Sequence, residues 1–186
     1  MKANFSGILT TVAALAFGSA LSAQETSTNR VAAETDWSVF VESNPTSCWA
    51  VSTFKESVNT KDGRVVSVRR GETLIFVTYI PGAGVEGQVS FTGGYDFDDS
   101  IQPTIEIGDA TFRLQTVAKD NSATPQAEDE MAWASSAEED GKIIAAMKRG
   151  AKAVVTARSS RGTTTKDTFS LLGFTAAVDE AKNRCK

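Results

Sequence analysis

The stretch "AKAVVTARSSRGTTTKDTFSLLGF", residues 151–174, decides the reading of the fold. In its first half Ala151, Ala153, Val155 and Ala157 alternate with Lys152, Val154, Thr156 and Arg158. A period of two puts successive side chains on opposite faces, so this is a strand with a small apolar side. "SSRG" turns the chain, and Gly162 can take the positive φ that a tight turn requires. From Thr163 to Thr168 the chain returns as a β-branched strand suited to solvent, and Phe169 and Leu171 rejoin the core. As a hairpin the run is explained without any reaction.

Outward from this hairpin the same period recurs. Trp37, Val39 and Val41 alternate with Ser38, Phe40 and Glu42, and "CWAVSTFKES" follows the turn "NPTS" as a second strand on which Cys48 faces inward. "NTKDGR" is a hairpin turn centred on Asp62-Gly63, followed by strands in "VVSVRR" and "TLIFVTYI". The latter is apolar on both sides, which predicts a central strand covered on both faces. "GQVSFTGGY" is another strand, and "TIEIGDATFRLQTV" is a hairpin about Gly108-Asp109. "AKDNSATPQAEDE" is a loop leading to "MAWAS". Trp37, Trp49 and Trp133 each lie in an alternating segment and are expected in the core.

The period then changes twice. "SSAEEDGKIIAAMKRG" offers Ser135 or Ser136 as N-cap, a glutamate three residues on, an apolar stripe of Ile143, Ile144 and Met147, and Gly150 as a stop. At the C-terminal end Phe174, Ala177, Val178, Ala181 and Cys185 recur at the spacing of one helical face. The expected fold is mostly β: a β-sandwich-like or curled antiparallel sheet, with one short helix inserted late and a C-terminal helix.

Residues 1–23 read as a secretory signal peptide: Lys2, an apolar run from Ile8 to Leu21, then small residues with cleavage after Ala23. The run falls short of the roughly 18–20 residues a bilayer core demands, so no transmembrane segment is expected after cleavage. Residues 24–35 are a polar, flexible leader, and residues 36–186 form a single domain. The predicted location is the periplasm, the cell surface or the medium. In such an oxidising compartment, Cys48 and Cys185 most simply form one disulfide, the alternative being two buried thiols.

Composition narrows the function. There is no histidine, which removes the commonest general base and metal ligand, and two cysteines are too few for a thiolate zinc site. The net charge of −4 becomes −5 on loss of residues 1–23, and no basic tract invites nucleic acid. No cofactor or metal is implied, and no catalytic residue is assigned. Three further readings concern polar loops. Lys152, Arg158 and Arg161 are candidate contacts for a small ligand or anion held with the turn's N–H groups. Ser159 or Ser160 with Lys166 as base would make a serine–lysine hydrolase. Asp96, Asp98 and Asp99 in "GGYDFDDS" lie close enough for calcium, without matching a calcium-loop pattern.

The segments "DWSVFVESNPTSCWAVS", "DGRVVSVRRGETLIFVTYIPG", "FTGGYDF" and "AWASSAEEDGKIIAAMKRGAKAVVTARSSRGTTTKDTFSLLGFTAAVDEAKNRC", in that order, resemble the invasion-associated locus B family of exported bacterial proteins. The likeness runs from Asp36 to Cys185, and "MKRG" followed by "DTFSLLGFTAA" is its most specific part. It implies a periplasmic or surface-associated β-rich domain without established catalytic residues. With the expected export and disulfide and the missing histidine, it points to a non-enzymatic protein that acts by binding through its sheet surface or loops. The partner would be an unidentified protein or envelope component, in the host or in the cell's own envelope.

Overall fold

The computed structural model describes residues 29–117 and 130–186. The expected signal peptide, the expected leader up to residue 28 and nearly all of the loop read at 118–130 lie outside the described residues. The elements are β1 (Arg30–Glu34), β2 (Trp37–Ser43), β3 (Thr46–Thr53), β4 (Glu56–Lys61), β5 (Arg64–Val65), β6 (Leu74–Ile80), β7 (Val85–Thr92), β8 (Thr104–Ile107) and β9 (Ala110–Thr116). They continue with β10 (Met131–Ala134), α1 (Ala137–Arg149), β11 (Lys152–Arg158), β12 (Thr164–Ser170) and α2 (Phe174–Arg184). The strands hydrogen-bond in the order β1-β2-β3-β6-β7-β10-β9-β8-β11-β12-β4-β5, antiparallel throughout.

β9 is the corner of this curled sheet. Its Leu114–Thr116 end pairs with β10, while Ala110–Arg113 pair with β8. The two halves therefore turn their apolar faces toward each other, and Phe91 of β7 meets Phe169 of β12 edge to face at 6.1 Å. In the first half Val39, Ala50, Val77 and Val89 line up in register across four strands, each without solvent exposure. Each such valine stabilises the fold by about 1.5–3 kcal/mol relative to its exposed state.

Both helices lie on this inner face for reasons visible in their sequences. In α1 the Ser136 hydroxyl accepts the Glu139 N–H at 3.3 Å, acidic residues fill the first turn and Lys148 and Arg149 the last, as the helix dipole favours. Its buried side is Ile143, Ala146 and Met147. Asp140 accepts the N–H of Val89 at 2.7 Å, just past the last pairing of β7 with β10. Burial holds the Asp140 carboxyl above its ordinary range. α2 buries Phe174, Ala177, Val178 and Ala181, and Phe174 meets Trp37 edge to face at 4.8 Å. Its entry depends on Gly173, whose φ is +87°; a Cβ there would lie 1.9 Å from the Glu34 carbonyl oxygen. At its far end Cys185 is disulfide-bonded to Cys48 of β3, with Cα atoms 5.8 Å apart.

Five expectations need correction. Residues 30–34 of the expected leader are strand rather than flexible chain, because they pair with the free edge of β2. Of "VVSVRR" only Val65 is strand, following Arg64 in β5; the chain then leaves the sheet and sends Arg70 inward. The return strand after Gly162 is not merely a solvent face, since Thr165 and Asp167 point into the interior, 1% and 0% exposed. Trp37 is core, but Trp49 and Trp133 are only part-buried on the outer side of the sheet. β6 is covered on the side of Ile75, Val77 and Tyr79, and among the described residues no element packs broadly on its other side.

Candidate functional site

The uncovered side of β6 belongs to a continuous outer face built by register. Phe40, Trp49, Thr78 and Gln88 form one row across β2, β3, β6 and β7. Ser38, Val51, Phe76, Ser90 and Trp133 form the next, reaching β10. Thr53, Leu74, Thr92 and Met131 form the third. Phe40 and Trp49 stack at 5.6 Å with their planes 8° apart. None of these residues carries a charge. The outer side of the other half is quite different, with Lys152, Glu106, Lys166 and Glu56 exposed among threonines. One outer face thus resembles an ordinary solvated sheet, and the other is uncharged, its aromatic and aliphatic side chains interleaved with serine, threonine and glutamine, as suits an interaction site.

The hairpin residues do not converge as a three-cation site. Lys152 and Arg158 stand at opposite ends of β11, about 20 Å apart by strand rise. Arg158 Nε lies 3.5 Å from Asp98 Oδ2. Arg161 instead lines a cleft of about 260 Å³ with Arg69, Tyr95, Asp96, Glu130 and Ser160. Its floor carries the buried Ser159, Thr163 and Thr165, and the Tyr95 hydroxyl meets Thr165 Oγ1 at 2.6 Å. Burial pushes Tyr95 up to about 12.

Ser159 holds the turn together. Its Oγ accepts the Thr163 N–H at 3.1 Å, and its own N–H donates to the Thr163 carbonyl at 2.8 Å. Lys166 is exposed on the outer side of β12, facing away from the buried Ser159, so these two do not meet as nucleophile and base. Asp98 Oδ1 accepts the Ser100 hydroxyl at 2.6 Å and the Ser100 N–H at 3.1 Å. The Ser100 hydroxyl, the Ser100 N–H and Arg158 hold the Asp98 carboxyl below the usual carboxylate range. Among the described residues no group of three or more acidic or cysteine side chains is arranged to hold a metal ion.

Sequence reasoning missed Arg70. Its guanidinium makes a two-pronged contact with Asp167 and donates to Ser57 Oγ at 2.9 Å, lying over the Phe54 ring at 5.3 Å and the Tyr95 ring at 6.0 Å. It also missed the outer face, although the two-sided apolar pattern of residues 74–80 signalled it.

Fold and surface together define a class: a disulfide-fastened domain in which a curled antiparallel sheet packs on two helices and leaves one uncharged, aromatic-bearing outer face. Residues 109–182, from the β8–β9 turn into α2, match the model of the family "Invasion associated locus B (IalB) protein". The chain is also similar to the crystal structure of invasion associated protein b from Bartonella henselae, with 15% identity and a TM-score of 0.50 over 81% of this chain and 94% of that one. That likeness is one of fold. No curated protein matches the chain. The resemblance read from the sequence therefore stands on a family match and on a shared fold.

Proposed function

We propose that the protein is exported with loss of residues 1–23 and works in the envelope, without catalysing a reaction, by binding a macromolecular partner through the outer face of β2, β3, β6, β7 and β10. The observation that carries this reading is the contrast between the two outer faces. One has the charged and threonine-rich character of solvated sheet; the other has no charge and sets Phe40, Trp49, Phe76, Leu74 and Trp133 among serines and threonines. The Cys48–Cys185 disulfide and the likeness to invasion associated protein b support an extracytoplasmic setting. A role in host contact rests on the name of that relative alone.

Fractionation of tagged protein from its native cell, followed by chemical crosslinking, tests this. A crosslinked species in the envelope fraction that is lost in Phe76→Glu and kept in Thr156→Glu is expected. Equal crosslinking in both variants, or protein retained in the cytoplasm, overturns the reading.

A second reading takes the cleft between Arg69 and Arg161 as a site for a small anion, with hydroxyls on its floor. Millimolar phosphate, sulfate or an anionic sugar should then raise the melting temperature, and Arg161→Ala should abolish the rise. No shift with any of the three ligands removes it.

A further inference from the structure

We infer that the partner of the outer face is a second copy of this chain, the two sheets packing face to face about a twofold axis. The inference rests on the reading of that face as a binding surface and names its occupant. β6 reads as a strand meant for cover on both sides, and one chain supplies cover only to Ile75, Val77 and Tyr79. The side bearing Leu74, Phe76 and Thr78 is the one left over.

Charge selects among occupants. The chain as a whole is acidic, with 23 acidic against 19 basic residues, so two copies meeting by most of their surface repel. The three rows of the outer face bring no charge into contact, while Arg30, Glu42 and Arg113 stand at its rim. Self-pairing there costs no buried ion, and it repeats the aligned packing by which two sheets ordinarily share a core. A face that meets itself satisfies the isologous symmetry of a dimer.

Area sets the strength. The five strands of that face, about 4.8 Å apart, and three side-chain rows about 6.8 Å apart span roughly 24 by 20 Å, or about 500 Å² per copy. Two copies together bury about 1,000 Å², below the range of stable interfaces and within that of transient ones. The dimer is therefore reversible and concentration-dependent rather than obligate.

Sedimentation equilibrium of protein purified from its native cell, from about 1 to about 500 μM, should show the weight-average mass rising toward that of two chains, as a small interface requires. Phe76→Glu and Trp49→Glu should each weaken association at least tenfold, because each sets a carboxylate against its own copy, whereas Thr156→Glu should leave it unchanged. A monomer at every concentration, or equal weakening by all three variants, overturns the inference. A photoreactive benzophenone side chain at position 76 then reads the occupant in cells without depending on a charged variant. A product of twice the chain's mass supports the second copy. A product with any other protein overturns the second copy and leaves the binding face standing. No product, with protein monomeric in solution, overturns both.

Discussion

Arg70 and Asp167 meet where the two halves of the sheet approach, 9% and 0% exposed, and they lie 97 residues apart in the chain. Neither charge has water to fall back on, so each depends on the other and on Ser57 and the two flanking rings. Asp167→Ala leaves a buried guanidinium without its partner and should cost about 3–5 kcal/mol in urea unfolding. Replacing both, as Arg70→Met with Asp167→Leu, should recover most of that loss, because apolar residues of similar volume often equal a buried pair. A double variant as unstable as the single one would place the cost elsewhere. The two tyrosines give a second test. Burial pushes both Tyr79 and Tyr95 up to about 12. Since the folded value is raised above 10, their neutral forms contribute stability that is complete below pH 10 and is lost as pH rises to about 12. Absorbance near 295 nm should show no phenolate step at pH 10 in the folded protein, and both steps there in urea.

Among the elements, α2 depends most on a long-range tie. Its inner stripe packs on β2 and β3, and the disulfide closes a loop across 137 residues of sequence. In the chain-entropy picture that closure contributes about 4–5 kcal/mol, less any strain. Cys48→Ala with Cys185→Ala should lose that much in denaturant unfolding. Amide exchange should accelerate first in residues 174–184, because the helix is then held by Phe174, Ala177, Val178 and Ala181 and by the exposed Lys148–Asp179 ion pair. Exchange that rises first in β11 and β12 would show that the bond does not govern this helix. The helix stripe and the inward Cys48 were both legible at the sequence level, since each is a matter of local spacing. The partial loss of "VVSVRR" as strand was not legible. Its alternation is sound, but Arg70 is drawn to a carboxylate on a strand far along the chain.

Across the whole molecule, β9 joins the halves by pairing with β10 at one end and β8 at the other. Neither half can open without breaking that strand's ladder or exposing Phe91 and Phe169. Unfolding should therefore be a single step. All three tryptophans stand on strands of the first half, with Trp37 also donating to the Ser170 carbonyl of β12 at 3.0 Å. Tryptophan fluorescence therefore follows that half and its seam with the second, while far-ultraviolet circular dichroism follows the whole sheet. The two denaturation curves should coincide; separate midpoints would show that the halves melt independently. The outer aromatic face belongs to this scale as well. Trp49 and Trp133 alternate as core residues do, and only the placement of both helices and the second half on the opposite side leaves them facing outward.

The sequence by itself determined which residues share a face, where the hairpins turn, where the two helices run and which cysteines are available to be joined, because periodicity and turn chemistry act over a few residues. It carried the family likeness for the same reason, through segments in a fixed order. The tertiary structure alone decided the strand order, the corner at β9, the burial of Arg70 against Asp167, the scattering of Lys152, Arg158 and Arg161, and which of two apolar faces went uncovered. Those outcomes depend on contacts between segments far apart in the chain, and no local pattern records which distant surface arrives to cover a given side.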